Sequence, residues 1–567
     1  MEAVNTNGKD AVRLCEHIVR GAFGEVVCRV ASTLLNRGRL TALSISKLAA
    51  LARPTTNAAL LILIQHNLVG STGASRRGPG EDEMYEFDVP ECLLRLRWAR
   101  ILALTEQTFG EEALVIVRQV FMYGKLSMPE IQSECGATGD RNKVLSLRRT
   151  VVKLLRQGFL EPTCAELLML RSDQIDRRYK SKWVEKSAAM GTKLHSANTL
   201  AELRKVSISE INDERRAFRD PQRALKEVKT KRSAKDVAKS KGDPDEKWEV
   251  LDDVPLRVNY DKYNVLIRNE LIIKAAEDRW NRAAGEVMRA VLTASLQYQH
   301  DPKEMRTDQP VGVTSIVDHL PTSSHKLLMA GIAGQSSKNV PELVRQYLAV
   351  MSGDDLASDN TGARFLSHTD HSSPSYFVEI ENICTSLKAS LLTELVRDRI
   401  DDKAARVLAV VARAHFASET MVRDCAMIPL REARQILSEL QKLSLIDIQE
   451  VPKTAAKARN PMFPSADYHL WGIDLRKAYG FLLAGVYKTA ANLVQRREKE
   501  VEKRAALLAK IDRPDLEGVD VTTFLSVKDQ TDLGELNNAL TMLSLAETRT
   551  DLVTMMLRDL PGGIPAK

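Results

Sequence analysis

The side chains best placed to do chemistry are cations. Arg149, Lys153 and Arg156 lie at i, i+4 and i+7, which puts all three on one face of a helix, and Arg141, Lys143 and Arg148 stand just before them. A row of this kind neutralises phosphates along a nucleic-acid backbone; the plainer alternative is a solvated face on a core helix. Lys453, Lys457 and Arg459 form a second basic group, in a long loop that could brush a phosphate backbone. A third group, residues 226–241, holds six Lys and one Arg against one Glu and one Asp. It reads as an import signal, a weak nucleic-acid tether or a solvated linker, and the sequence does not choose between them.

Reactive groups are scarce by comparison. There is no P-loop, no GxGxxG after a strand, no GxSxG and no HExxH. "HTDH" at 368–371 sits in a Ser/Pro-rich stretch with no further ligands nearby, and reads as a loop. His66 follows a greasy run and reads as a helix-end group that caps carbonyls or meets water. The seven cysteines (Cys15, Cys28, Cys92, Cys135, Cys164, Cys384 and Cys425) contain no CxxC pair, which argues against a zinc finger made by this chain alone. Buried free thiols in a reducing compartment are expected. No catalytic residue, cofactor-binding residue or metal ligand is therefore assigned, and no cofactor or small-molecule substrate is expected.

The elements that must carry the cations follow from length and periodicity. A chain of 567 residues exceeds one hydrophobic core, so about three to five domains are expected. The net charge of +7 permits nucleic acid as a partner without demanding it. No apolar run approaches the roughly 18 residues of a membrane span, and the N-terminus lacks an apolar signal core. An intracellular, soluble protein with no membrane partner is the expectation.

Residues 11–88 give three helical patterns, then two apolar residues, a Gly/Ser/Arg loop and "MYEFDV", which alternates as a strand does. The second pattern opens at Ser44 and stops before Pro54, which starts the third, "PTTNAALLILIQHN". Helix, helix, helix, strand, loop, strand is the order of a winged helix, whose third helix is the recognition helix. Here it has no Lys or Arg after Arg53, so it is a poor groove reader and is expected to face a partner. The order recurs at 111–162 and at 403–451, the latter with a long loop to "YHLWGID" at 468–474. A looser copy runs from about 259 to 400. Leu68-Val69, Phe159-Leu160 and Leu445-Ile446 fall at equivalent places, each just past a polar or glycine break. In the last copy Arg431, Arg434 and Lys442 are diluted by Glu432 and Glu439.

Toward the C-terminus, Leu483, Tyr487, Ala490, Val494, Arg497, Val501, Arg504, Leu508 and Ile511 follow alternating steps of three and four. A Pro/Gly break and a second run from Leu533 suggest an antiparallel coiled-coil hairpin, with a first helix of about 36 residues. One seam row (Tyr487, Val494, Val501, Leu508) is apolar; Arg497 and Arg504 break the other and require an acid, with Glu547 and Asp551 available. The fold class is thus mainly α with small β wings. The expected modules are winged helices at 1–90, 105–170, 256–400 and 401–475, a charged linker or insertion at 171–255, and the hairpin at 476–567.

Three stretches carry a family resemblance. "LCEHIVRGAFGEVVCRVASTLLNRGRLT" at 14–41 with "NAALLILIQHNLV" at 57–69 resembles the N-terminal winged helix of the third-largest subunit of RNA polymerase III. "RVNYDKYNVLIRNELIIKAAEDRWNRAAGEVMRAVL" at 257–292 is similar to that family's central region, and "YHLWGIDL" before a heptad hairpin to its C-terminal end. The resemblance implies a noncatalytic nuclear subunit related in architecture to the large subunit of TFIIE. It implies a heterotrimer with two further polymerase III subunits, a seat on the clamp, double-stranded and melted promoter DNA as partners, and work in initiation and promoter opening. It makes Tyr487, Val494, Arg497, Val501, Arg504 and Leu508 candidates for docking on the polymerase. The alternative is a winged-helix scaffold of another nuclear complex that binds only protein.

Overall fold

The computed structural model describes residues 8–72, 83–137, 140–190, 196–227, 248–330, 339–353, 364–369, 375–452, 467–511 and 525–562. The chain is mostly helical, with small antiparallel sheets, and its contacts divide it into two compact units.

The unit made of residues 6–263 and 488–551 opens on helix Lys9–Arg37, which is bent at Gly24, where φ is 83°. Strand Leu40–Thr41 and helices Ala42–Ala49 and Arg53–Gln65 follow; the Thr41 side chain accepts from the Ser44 amide, and Pro54 occupies the first turn of the third helix. Strands Val69–Ser71 and Met84–Phe87 close the motif, with the last strand central in the three-stranded sheet. The core gathers Leu14, Val19, Leu34, Ile45, Leu63 and Leu68, all essentially inaccessible. Helix–strand–helix–helix–hairpin is the winged-helix order.

The second copy has the same order with a long detour. Helices Glu111–Tyr123, Met128–Glu134 and Arg141–Arg156 lead to strand Leu160–Pro162. Its antiparallel partner is Leu256–Val258, almost a hundred residues on, and Leu126 bridges to Leu256 on the other side. Residues 171–255 are therefore inserted between the two wing strands, and strand 256–258 belongs with this copy, not with the next. The charged stretch also differs from a flexible linker wherever it is described. Helices Arg171–Met190 and Ala197–Phe218 pair, with Arg178 bonding Glu210 and Glu214 at 3.1 and 2.6 Å. Charges that looked solvated in sequence satisfy one another across two helices. Most of the basic run at 226–241 lies outside the described residues.

The other unit takes in residues 264–487 and 552–562. Strands Val311–Gly312, Leu366–His368 and Ser375–Val378 form one three-stranded sheet; Phe416–Ala417, Asp447–Pro452 and Asp467–Gly472 form another. In both, the last strand in sequence lies in the middle, as in the first copy. Fully buried Arg268 donates to Gln299 Oε1 at 2.7 Å and to the carbonyls of Asp301 and Pro302 at 3.2 Å. Lys388 Nζ donates to the carbonyls of Leu560 and Gly562, at 2.9 and 2.8 Å.

One backbone device explains the repeated breaks. Asn67, Gly158 and Ser444 all have positive φ, at 59°, 79° and 56°. The amides that follow, of Leu68, Phe159 and Leu445, bond the carbonyls of Leu63, Leu154 and Leu440 at 2.9, 2.9 and 3.1 Å. Asn67, Gly158 and Ser444 themselves donate to Ile64, Leu155 and Gln441. This is a Schellman cap, which ends the helix and throws the next residue back onto its last turn. Leu68, Phe159 and Leu445 are accordingly buried. The turn before each recognition helix repeats it: Ala50, Gly136 and Met427 have positive φ, and Leu51, Ala137 and Ile428 bond back to Ser46, Gln132 and Arg423.

The C-terminal helices depart from expectation. In place of one helix of about 36 residues there are Leu475–Lys503 and Ala505–Ile511, broken at Arg504, and then Val527–Arg558. The break shifts the phase, so that Leu507 is buried, Leu508 half-buried and Val501 exposed. Arg497 pairs with Glu547 at 2.8 Å, Arg504 with Glu535 at 3.3 Å and Lys510 with Asp529 at 3.2 Å, an antiparallel progression. Asp551 is taken elsewhere, by Arg97: the Nε lies 3.0 Å from the carboxylate, and both groups are buried. Among the described residues no single helix is long and apolar enough to cross a membrane.

Candidate nucleic-acid interface

Helix Arg141–Arg156 is positioned by its buried face, Leu147, Val151, Val152, Leu154 and Leu155, and by the Asp140 cap, which accepts from the Asn142 amide at 3.1 Å. The opposite side exposes Arg149, Lys153 and Arg156, and Arg141 and Lys143 are exposed in the first turn. Arg141, Lys143 and Lys153 have no carboxylate partner among the described residues; Lys153 Nζ stands 5.5 Å from the centre of the Phe109 ring. Arg148 is set apart. It is half-buried and pairs with Glu249 at 3.4 Å and Asp252 at 3.0 Å, at the end of the insertion. All six cations thus lie on this helix, five of them exposed, while Arg148 is half-buried and paired within the fold. Lys453, Lys457 and Arg459 lie outside the described residues.

A second face was only half legible. Helix Leu430–Lys442 buries Ala433, Ile436, Leu437 and Leu440 and exposes Arg431, Gln435, Ser438 and Lys442 at i, i+4, i+7 and i+11. Gln435 and Ser438 are groups able to bond base edges or phosphates, and stepping from Arg431 by four and three would have found them. Glu432 turns away from this row toward Lys403, 3.0 Å away, whereas Glu439 accepts from Gln435 of the row at 3.4 Å; Arg434 is held by Glu419 at 2.7 Å.

The first copy's recognition helix is spent differently. Its C-terminal end is capped by Lys125, whose Nζ donates to the Ile64 carbonyl at 2.8 Å, while Gln65 Nε2 donates to the Lys125 carbonyl at 2.8 Å. The expected cap, His66, instead packs 4.7 Å from the Phe23 ring. Burial, reinforced by Arg95 and Lys125, pushes its imidazole down to about 4, and burial brings Lys125 down to about 8. Gly124, at φ 82°, is required here, since a Cβ would fall 2.6 Å from the Gln65 carbonyl oxygen. Arg95 lies 4.7 and 4.0 Å from the rings of Phe23 and Trp98, and Trp98 stacks on Phe121 at 4.6 Å.

Of the C-terminal residues, Tyr487 and Val494 are buried, Arg497, Arg504 and Leu508 half-buried, and Val501 exposed. Cys15, Cys28, Cys92 and Cys384 are buried free thiols; Cys135 and Cys164 are half-buried and Cys425 exposed, against the expectation of burial. No cluster of three or more His, Cys, Asp or Glu able to hold a metal occurs among the described residues, and "HTDH" is described only at His368 and Thr369.

Three family models match the chain. Residues 13–70 match the RNA polymerase III subunit RPC82 helix-turn-helix domain, 149–387 the RNA polymerase III subunit RPC82, and 392–473 the POLR3C C-terminal winged-helix domain. The chain is 25% identical to the DNA-directed RNA polymerase III subunit RPC3 of Danio rerio over 549 residues, 94% of this chain and 91% of that one. Against the subunit RPC3 of Homo sapiens it is 24% identical, covering 88% and 86%. Against subunit rpc3 of Emericella nidulans it is 24% identical, covering 97% and 99%.

Proposed function

This chain belongs to the RPC82 family of RNA polymerase III subunits, and from that premise we propose that it serves initiation by contacting promoter DNA, helping to open it and assembling a polymerase-specific subcomplex on the clamp. It is a noncatalytic subunit of a DNA-directed RNA polymerase. The matches to polymerase III subunits support this reading over a scaffold of some other nuclear complex. Two further subunits complete the heterotrimer in this reading, and the place of work is the nucleus.

What carries the DNA part is the exposed face of Arg149, Lys153 and Arg156, with exposed Arg141 and Lys143 in the first turn, on a helix in the recognition position. A helix there meets a groove or its flanking phosphates, and cations in that place bind by releasing counterions. A photo-crosslinker attached at Lys153→Cys in the assembled polymerase should label promoter DNA. Labelling confined to protein would remove the DNA role from this helix.

The reading includes four winged helices, at 1–90, 105–170 with its returning strand at 256–258, 259–400 and 401–475, and a coiled-coil hairpin at 476–567. The recurring strand order and the two repeated caps favour one ancestral module used several times. The antiparallel pairs Arg497–Glu547, Arg504–Glu535 and Lys510–Asp529 favour the hairpin. Of the six docking candidates, Val501 is exposed, Arg497, Arg504 and Leu508 are half-buried, and Tyr487 and Val494 are buried.

A further inference from the structure

The first copy's helix-turn-helix exposes grease where a DNA reader exposes cations. Helices Ala42–Ala49 and Arg53–Gln65, bent 112° to one another, leave Leu61 67%, Leu48 51%, Leu43 49% and Ile62 40% exposed. Core demand does not account for this, because Thr56, Ala59, Leu60 and Leu63 already fill the buried side of the second helix. Large side chains left in water cost free energy that a docked partner recovers. Along this stretch of chain the charge has one sign. No Asp or Glu stands anywhere between Glu25 and Glu81, while Lys47 and Arg53 are exposed on these two helices and have no carboxylate partner among the described residues.

We propose that this face docks an acidic amphipathic segment of another protein, its Leu, Ile, Phe or Met side chains covering Leu43, Leu48, Leu61 and Ile62 and its Asp or Glu pairing with Lys47 and Arg53. Two cations are too few to hold a duplex by phosphate neutralisation, and a phosphate backbone offers nothing apolar to cover four exposed hydrophobes. An apolar strip with acidic flanks satisfies both demands at once. A basic segment, or a second copy of this face, would bring cation against cation.

The inference rests on the reading of the chain as a polymerase subunit, so it is tested in the purified, assembled polymerase carrying p-benzoylphenylalanine in place of Leu61. Irradiation should join the probe to a protein segment in which acidic residues outnumber basic ones and interleave with apolar ones. Lys47→Glu with Arg53→Glu, both on exposed residues, should lower the yield about tenfold while the chain still co-purifies. Crosslinks to DNA, to a basic segment or to a second copy, no crosslink at all, or an undiminished yield in the charge-reversed variant would each overturn it. Failure of the polymerase reading shows separately, as a wild-type chain that does not co-purify.

Discussion

At the scale of single residues, the most consequential pairing is one that spacing could not reveal. Asp551 and Arg97 are 454 positions apart, and the guanidinium Nε donates to both carboxylate oxygens, at 3.2 and 3.0 Å, out of reach of water. Removing one partner of such a pair strands a buried charge, at a cost of roughly 3–5 kcal/mol, whereas replacing both by apolar groups of similar volume can be nearly neutral. Arg97→Met alone should therefore lower the melting temperature sharply, and Arg97→Met with Asp551→Leu should recover most of the loss. Equal destabilisation by the single and the double change would mean that the pair is not what matters there. Local pairs were easier to read. Arg497 meets Glu547, as the need for an acid opposite a seam arginine required, because both lie on segments whose periodicity fixes their facing sides. The pairing of Arg148 with Glu249 and Asp252 was hidden, since those acids return only after a long insertion.

At the scale of elements, the repeated helix stops are set by backbone conformation more than by side-chain chemistry. Gly158, at φ 79°, has open space around it, so Gly158→Ala tests the left-handed cap alone. The substitution should cost about 1–2 kcal/mol, the penalty of an L-residue in that region. Gly21, inside helix Lys9–Arg37 and also with open space, should behave in the opposite sense: Gly21→Ala should gain about 0.5–1 kcal/mol by restricting the unfolded chain. Chemical denaturation of the two variants beside the wild type decides it; a shift of the same sign in both would contradict the assignment of Gly158 as a cap. The breaks before Leu68, Phe159 and Leu445 were visible in sequence because glycine or a polar residue marks them. The break at Arg504 was not, because an apolar heptad runs straight through it and only the lost phase at Leu507 reveals it.

At the scale of the whole molecule, module order was legible wherever a copy is contiguous in sequence. It failed where the second copy's wing is split by residues 171–255, since a strand of three residues carries no periodicity that links it to a partner so far away. The candidate site divides along the same line: its cations could be read from helical spacing, while the pairing of Arg148 depended on acids at the end of the insertion. The central claim is that the exposed row on helix Arg141–Arg156 binds DNA through its phosphates. The most direct measurement titrates labelled promoter duplex with the assembled polymerase between about 50 and 200 mM salt, comparing wild type with Arg149→Ala, Lys153→Ala and Arg156→Ala combined. The slope of log affinity against log salt should fall by about 2–3 units, close to one for each phosphate no longer neutralised, and the weakening should be the same on unrelated duplex sequences. An unchanged slope in a correctly assembled polymerase would contradict the claim and leave that face merely solvated.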